Sequence, residues 1–250
     1  VQKQSVSVAG ITVRPCAGLA EFDACVALQQ TVWGNDITVP SPIFVVALET
    51  GGQVLGAFDS QGRMVGFTLA LAGFHDGKPF LHSHMAAVLP ELQNQKIGRM
   101  LKLAQREEAL SRGIQLIEWT FDPLELRNAH FNIVRLGAIM PRFIPNCYGL
   151  TESPLHAGLP TDRLVADWQL DSERVGKILE GNAIATNARA VHISVPSDIG
   201  QWKSKDRARA IEAQSKVRAE FLHWFGQRYV VTGLERAGAV TNYVLDPPSA

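Results

Sequence analysis

Three groups of residues in this chain carry the means for chemistry. His82 and His84 stand two apart in Phe80-Leu81-His82-Ser83-His84-Met85, and the period of an extended strand puts both imidazoles on one face. An imidazole, with an unperturbed pKa of about 6.5, suits proton removal around neutral pH. The same pair could be half-buried strand residues satisfied by carbonyls, or could offer two nitrogens to zinc with His75, Glu118 or Asp122 as further ligands. No Cys-x-x-Cys or His-Glu-x-x-His motif supports the zinc reading, and no metal is expected. Next, the strand-like Met85-Ala86-Ala87-Val88-Leu89-Pro90 leads through a polar loop, Glu91 to Lys96, into the amphipathic run that opens at Ile97-Gly98-Arg99-Met100. A strand that turns into a helix start leaves several N–H groups unpaired and pointing one way, which suits a phosphate; without a ligand it is an ordinary strand-to-helix turn. Finally, Glu118 and Asp122 flank Trp119-Thr120-Phe121. Asp122 precedes Pro123, where a carboxylate orders the turn and caps the coming helix. Glu118, in mid-strand, would act as a base or hold an ammonium if it faces inward.

The elements that must position these residues follow from periodicity and punctuation. Ile11 to Pro15 reads as a strand, Ala20 to Trp33 as a helix, and Pro42 to Glu49 as a second helix closed by Gly51-Gly52. Two β-rich runs, Gln53 to Phe58 and Arg63 to Phe74, flank the tight-turn composition Asp59-Ser60-Gln61-Gly62, and a third run covers Pro79 to Leu89. From Ile97 to Arg112 an apolar stripe of Ile97, Met100, Leu101, Leu103, Ala104 and Leu110 faces away from Arg99, Lys102 and Arg106. Ile114 to Phe121 is β-prone, Leu126 to Leu136 a helix stopped at Gly137, and Ala138 to Tyr148 and Arg163 to Leu170 are strands. Beyond Asp171 come a strand at Val191 to Val195, a long helix at Asp206 to Gly226, and a hairpin of Tyr229 to Arg236 with Ala239 to Leu245. Such a unit buries too little surface to stand alone and is expected to pack on what precedes it.

Composition narrows the classes. Lys plus Arg balances Asp plus Glu at 24 each, which removes the electrostatic footprint of a dedicated nucleic-acid binder. No stretch approaches the roughly 20 apolar residues of a membrane span, and the first residues lack a secretory h-region. Cys16, Cys25 and Cys147 leave at least one thiol unpaired, which fits a reducing, cytoplasmic setting. In Cys147 a small buried hydrophobe is a better reading than a nucleophile.

The order β-α-α-β-β-β-α-β-α-β-β, together with Gln93 and Gly98 around the polar loop, resembles the GNAT N-acetyltransferase superfamily, whose signature is a Gln or Arg followed by x-x-Gly-x-Gly or Ala. Lys96 stands where that signature has its central glycine. Ala129 followed by Gly137 is similar to the family's second signature, Asn-x-x-Ala-x-x-x-Tyr-x-x-x-Gly-Phe, with Ile133 at the tyrosine that often serves as general acid and Ala138 at the phenylalanine. The resemblance implies an α/β (α+β) GNAT acyl-CoA N-acyltransferase fold, a mixed twisted sheet flanked by helices. The expected layout is a flexible leader at 1–10, an acyl-CoA-binding domain at 11–170, and a small C-terminal β-α-β-β extension at 171–250.

It also implies acetyl-CoA, or another acyl-CoA, as co-substrate, held by Met85, Ala86, Ala87, Val88, Gln93, Asn94, Gln95, Lys96, Ile97, Gly98 and Arg99, with Asn128 at the pantetheine amides. Counting back six residues from Val88, where several family members place a base, lands on His82. His82, His84 and Glu118 are the candidate bases, and Tyr148, where the family's sixth strand borders the acceptor site, is the candidate acid or positioning group. Arg142 and Arg163 bracket a loop expected to overhang that site, where an arginine fork would recognise a substrate carboxylate; a surface salt bridge with Asp162 or Asp167 is the plainer role. The implied activity is acyl transfer to a primary amine of a small molecule or amino-acid-like substrate, with neither nucleic acid nor membrane as partner and a homodimer left open. The alternative is a non-catalytic GNAT-like module that binds CoA or a metabolite.

Overall fold

The computed structural model describes residues 6–8, 10–34, 38–149 and 158–248, and the chain divides into two compact units, Val1–Ile117 and Glu118–Ala250. The first unit runs β1 (Val6–Val8), β2 (Ile11–Pro15), α1 (Leu19–Trp33), α2 (Ser41–Glu49), β3 (Gln53–Phe58), β4 (Met64–His75), β5 (Lys78–Val88), a 3-10 turn at Pro90–Leu92 and α3 (Ile97–Ser111). Its strands lie in the order β1-β2-β3-β4-β5, each pair antiparallel. One correction falls at the leader: Val6–Val8 is a strand that pairs with β2.

Helices cover both faces of this sheet. Phe67 of β4 packs on Phe44 of α2, which stacks on Phe22 of α1. The neighbouring Gly66 faces the other way, where an added Cβ would lie 3.2 Å from Leu101 of α3. With both faces covered, β3 is buried along its whole length, as a run without polar alternation requires. Gly52, between α2 and β3, is needed for close approach, because a Cβ there would collide with the carbonyl groups of Ala47 and Ala70. The buried stripe of α3 differs from the expected one: it includes Lys102 and Gln105 beside Ile97, Met100, Leu101 and Ala109.

From β6 (Leu116–Phe121) the second unit continues with α4 (Leu126–His130), a π-helical turn (Phe131–Arg135), β7 (Ile139–Ile144), β8 (Arg163–Gln169), α5 (Glu173–Leu179), β9 (Val191–Pro196), α6 (Ile199–Lys205), α7 (Arg207–Gly226), β10 (Val230–Ala237) and β11 (Val240–Asp246). Strand order is β6-β8-β7-β10-β11-β9. The helix expected over Leu126 to Leu136 is α only in its first half, and then Leu136 N–H bonds the Phe131 carbonyl five residues back. The strand expected to reach Tyr148 stops at Ile144 and gives way to a turn. Two helices, α5 and α6, arise where none was expected; α5 is capped by Ser172, whose hydroxyl accepts the Val175 N–H.

The residues after 170 form no unit of their own. β10 pairs with β7 at Val231 and Met140, and Phe221 of α7 stacks on Phe143 of β7 with centroids 5.2 Å apart. A short hairpin and one helix need such a partner to bury their apolar sides. Among the described residues no helix is long and apolar enough to cross a membrane.

Candidate functional site

The polar loop of the first unit has the backbone of an anion cradle. Gln93, Asn94, Gln95 and Lys96 are exposed, and Asn94 (φ 65°) and Lys96 (φ 67°) both take the left-handed conformation. Lys96 therefore adopts the backbone for which glycine is usually wanted, and it is exposed. The first bond into α3 runs from Met100 N–H to the Lys96 carbonyl, so the amides of Ile97, Gly98 and Arg99 precede it without an intrahelical acceptor. An added Cβ at Gly98 would meet only the Val88 methyl, at 4.0 Å. Arg99 Nε is buried with no hydrogen-bond partner among the described residues. Gln93 folds its amide back toward the Val88 carbonyl at 3.4 Å. Open amides, left-handed backbone and nearby cations fit a diphosphate.

The strand that feeds the loop carries a bulge. Leu69 pairs with Met85 and Ala70 with Ser83, which leaves His84 without a partner on β4. The surplus residue changes which face each side chain takes: Val88 lies beside Gly66 and Gly98, and Ser83, five positions earlier, meets Lys102 of the same α3 helix. Odd spacing on one face requires one extra residue between them. The rings of His82 and His84 lie 6.4 Å apart by centroids. Desolvation, and secondarily the charge of His82, holds the His84 imidazolium below its usual range. His75 instead stacks on Phe80 at 4.0 Å, and among the described residues no three His, Cys, Asp or Glu side chains group as a metal site.

Beneath β5 lies a polar cluster that sequence reasoning missed. Lys102 Nζ donates to Ser83 Oγ at 2.7 Å and to Gln105 Oε1 at 3.0 Å, while Gln53 donates to the Gln105 carbonyl and to Glu108. Burial pulls the Lys102 ammonium down to about 7. The signal was the placement of Lys102 and Gln105 three apart beside Leu101, on the face that also holds Ala109.

In the second unit Glu118 is 7% exposed and paired with Arg142. Thr120, on the same face of β6, shares a hydrogen bond of 2.9 Å with the Tyr148 hydroxyl. Tyr148 is 56% exposed, and the Arg163 guanidinium lies 5.3 Å from its ring centroid. Asp162, expected as an arginine partner, accepts instead from Arg218 and from the Asn146 N–H, each at 2.9 Å. Arg163 Nη1 donates to the Asp162 carbonyl. Asp122 orders the turn as a carboxylate before proline does, accepting the Leu124 N–H at 2.8 Å, and its other oxygen takes Lys203. Burial pulls Lys203 down, but Asp122 and Glu125 outweigh it and hold the ammonium above its usual range. Asn128 is exposed on α4, and Ile133 is buried at 1%, so no hydroxyl stands where the resemblance places one. Cys16 and Cys25 are buried and Cys147 half-buried. Of the loop expected to overhang the acceptor, Gly149 to Asp162, residues 150–157 lie outside the described residues.

No family model matches the chain, and no curated protein matches it in sequence. Solved structures do match in shape. A GNAT family acetyltransferase from Elizabethkingia anophelis with acetyl-CoA bound superposes with a TM-score of 0.51 at 14% identity, over 65% of this chain and 99% of that one. The ribosomal-protein-alanine N-acetyltransferase of Escherichia coli gives a TM-score of 0.50 at 16% identity over 65% and 95%. An Arabidopsis thaliana protein in complex with the bisubstrate analogue CoA-Ac-MVNAL gives 0.51 at 13% over 64% and 98%. Nearly the whole of each neighbour is thus covered by about two thirds of this chain. The chain has the GNAT acetyltransferase fold, an α/β arrangement with a mixed sheet flanked by helices.

Proposed function

We propose that this chain is an acyl-CoA-dependent N-acyltransferase that moves an acetyl or short acyl group to a primary amine of a small molecule or amino-acid-like substrate. The observation that carries the reading is the turn from Val88 to Ile97, where left-handed Asn94 and Lys96 present the first amides of α3, in a fold whose neighbours include structures with acetyl-CoA or a CoA analogue bound. When bound, acyl-CoA supplies the activated thioester. The amides of Ile97, Gly98 and Arg99 bind the diphosphate, with Lys96 and Arg99 adding positive charge. Backbone groups of Ser83 to Ala87 orient the pantetheine arm, and a strand N–H polarises the thioester carbonyl. His82 or His84 takes the proton from the acceptor ammonium; desolvation, and secondarily the charge of His82, favours the neutral ring of His84, the form that can accept a proton. In the second unit Tyr148 is the candidate proton donor or amine-positioning group.

Calorimetric titration with CoA, followed by thiol-release assays with acetyl-CoA across a panel of primary amines, tests this reading. Saturable CoA binding and amine-dependent thiol release are expected; absence of CoA binding overturns it. A second reading, a non-catalytic CoA-binding module, draws on buried Ile133 and on the ion pair that occupies Glu118. Thermal stabilisation by CoA with no release across the panel would favour it.

A further inference from the structure

The outermost strand of the second unit is open along one side. β9 pairs with β11 in a regular antiparallel register, from Val191 with Leu245 to Pro196 with Val240, and no bulge interrupts it. Among the described residues no strand pairs with its other side, so β9 ends the strand order. The phase of the ladder follows from the next pair along, where Ser197 N–H donates to the Ala239 carbonyl at 2.9 Å. Hydrogen-bonded and non-hydrogen-bonded pairs alternate in an antiparallel ladder. Val195, Ile193 and Val191 therefore bond β11, while the N–H and C=O groups of His192 and Ser194 point away from it, and no described backbone group bonds them. The hydrogen bond of 2.8 Å from Ser194 Oγ to Asn242 Oδ1 agrees, because side chains come closer in the non-hydrogen-bonded pairs. Tyr243, the partner of Ile193, packs on Phe221 of α7, so α7 covers the face that holds Ile193 and Val195, both 0% exposed. His192 and Ser194 are exposed on the other face. Edge strands are commonly blunted by charge, by a bulge or by proline. From Val191 to Pro196 there is no Lys, Arg, Asp or Glu, and the proline stands only at the end.

We propose that β9 joins two copies of this chain, the two strands pairing antiparallel about a two-fold axis at Ile193. The reason is self-complementarity, which an isologous contact requires. Val191 and Val195 flank Ile193 symmetrically, and so do His192 and Ser194. With the axis at Ile193, the outward N–H and C=O of His192 in one copy exchange bonds with those of Ser194 in the other, and the reverse. On the α7 side Ile193 then meets its own counterpart and each Val191 meets a Val195, an apolar match along the strand. Neighbouring axes break the match. One at Ser194 sets Pro196, which has no N–H, opposite His192 and leaves the His192 carbonyl without a donor; one at His192 sets Arg189 opposite Val195. Because Ile193 and Val195 are already buried within one copy, pairing adds mainly the backbone ladder. The dimer is therefore weak and concentration-dependent, not obligate.

This dimer stands apart from the acyl-transfer reading, and neither depends on the other. Sedimentation equilibrium of the full-length chain, up to about 1 mM, should show a reversible monomer–dimer equilibrium. Ser194→Pro removes an N–H that faces away from β11, a place where an edge strand tolerates proline, so the monomer should keep its fold while the dimer dissociation constant rises about tenfold or more. Ser194→Ala, which loses the same hydroxyl bond to Asn242 but keeps the N–H, should leave that constant within about threefold of wild type. Amide hydrogen exchange gives a readout that needs no variant. The His192 and Ser194 amides should exchange fast in dilute protein and slow as concentration rises, whereas the Ile193 and Val195 amides, bonded to β11, stay protected throughout. If Ser194→Pro fails to fold, the exchange pattern decides. A chain that remains monomeric across the range overturns the proposal and leaves the edge to a strand from another protein. A dimer that Ser194→Pro leaves intact, or one in which His192 and Ser194 gain no protection, overturns it as well.

Discussion

His84 is the residue of β5 that β4 leaves unpaired, so its ring direction is set by a register shift as well as by strand alternation. Its neighbour His82 keeps a regular pairing with Leu71. The two differ in environment, and experiment can separate them. His82→Ala should lower turnover at neutral pH far more than it changes acetyl-CoA affinity, read by steady-state kinetics beside calorimetry; a loss confined to affinity removes His82 as the base. In the same variant the His84 imidazole, followed by NMR, should titrate at higher pH than in the wild type, because one cause that lowers it, the charge of His82, is gone. An unmoved midpoint would show that desolvation acts by itself. Glu118 gives the opposite lesson at this scale. Its mid-strand place marked it as chemically important, but whether it is a base, a binding group or the anchor of an arginine depends on Arg142, which lies 24 residues further along the chain.

At the scale of elements, α3 carries two tensions with measurable consequences. The first is its N-cap, Lys96, which holds a φ of 67° without being glycine or asparagine. Lys96→Gly should relieve about 1–2 kcal/mol of left-handed strain, partly offset by the freer unfolded chain, for a net gain of about 0.5–1 kcal/mol. Chemical denaturation reads it, and a loss of stability would mean that the lysine side chain makes contacts that outweigh the strain. The second is Lys102, which belongs to the buried side of the helix and titrates near 7 when folded, against 10.5 as the ordinary value. Between those values the unfolded chain holds a proton that the folded chain lacks, so stability rises with pH from about 7 toward 10. Below about 7 both states carry the proton and the full penalty of burying it persists. Lys102→Met should remove that slope and stabilise the chain at neutral pH by about 1–4 kcal/mol; denaturation midpoints at pH 7 and pH 9.5 check both. The charged face assigned to Lys102 on helical periodicity was wrong for this reason: Ser83 and Gln105 supply acceptors that let the ammonium turn inward.

For the whole molecule, the extension after 170 is structural material of the second unit. Ending the chain at 170 would strip β10 from β7 and uncover Phe143 where Phe221 stacks. An open β edge beside an apolar surface favours association, so the truncated chain should be insoluble or aggregated by light scattering; a monomeric, cooperatively melting fragment would show that the extension is an accessory. The order of strands and helices from Ile11 to Leu170 was legible in the sequence because periodicity, glycine punctuation and turn composition are local properties. So was the strand-to-helix turn, whose residues are contiguous from Val88 to Ile97. The strand at Val6–Val8, the bulge at His84, the π-helical turn at Phe131–Arg135, the inward turn of Lys102 and the pairing of Glu118 with Arg142 were decided only by the tertiary structure. Each depends on what a distant segment offers as hydrogen-bond partner, counter-ion or packing surface, and the free energy of burying a polar group is fixed by that partner and not by the residue's neighbours in sequence.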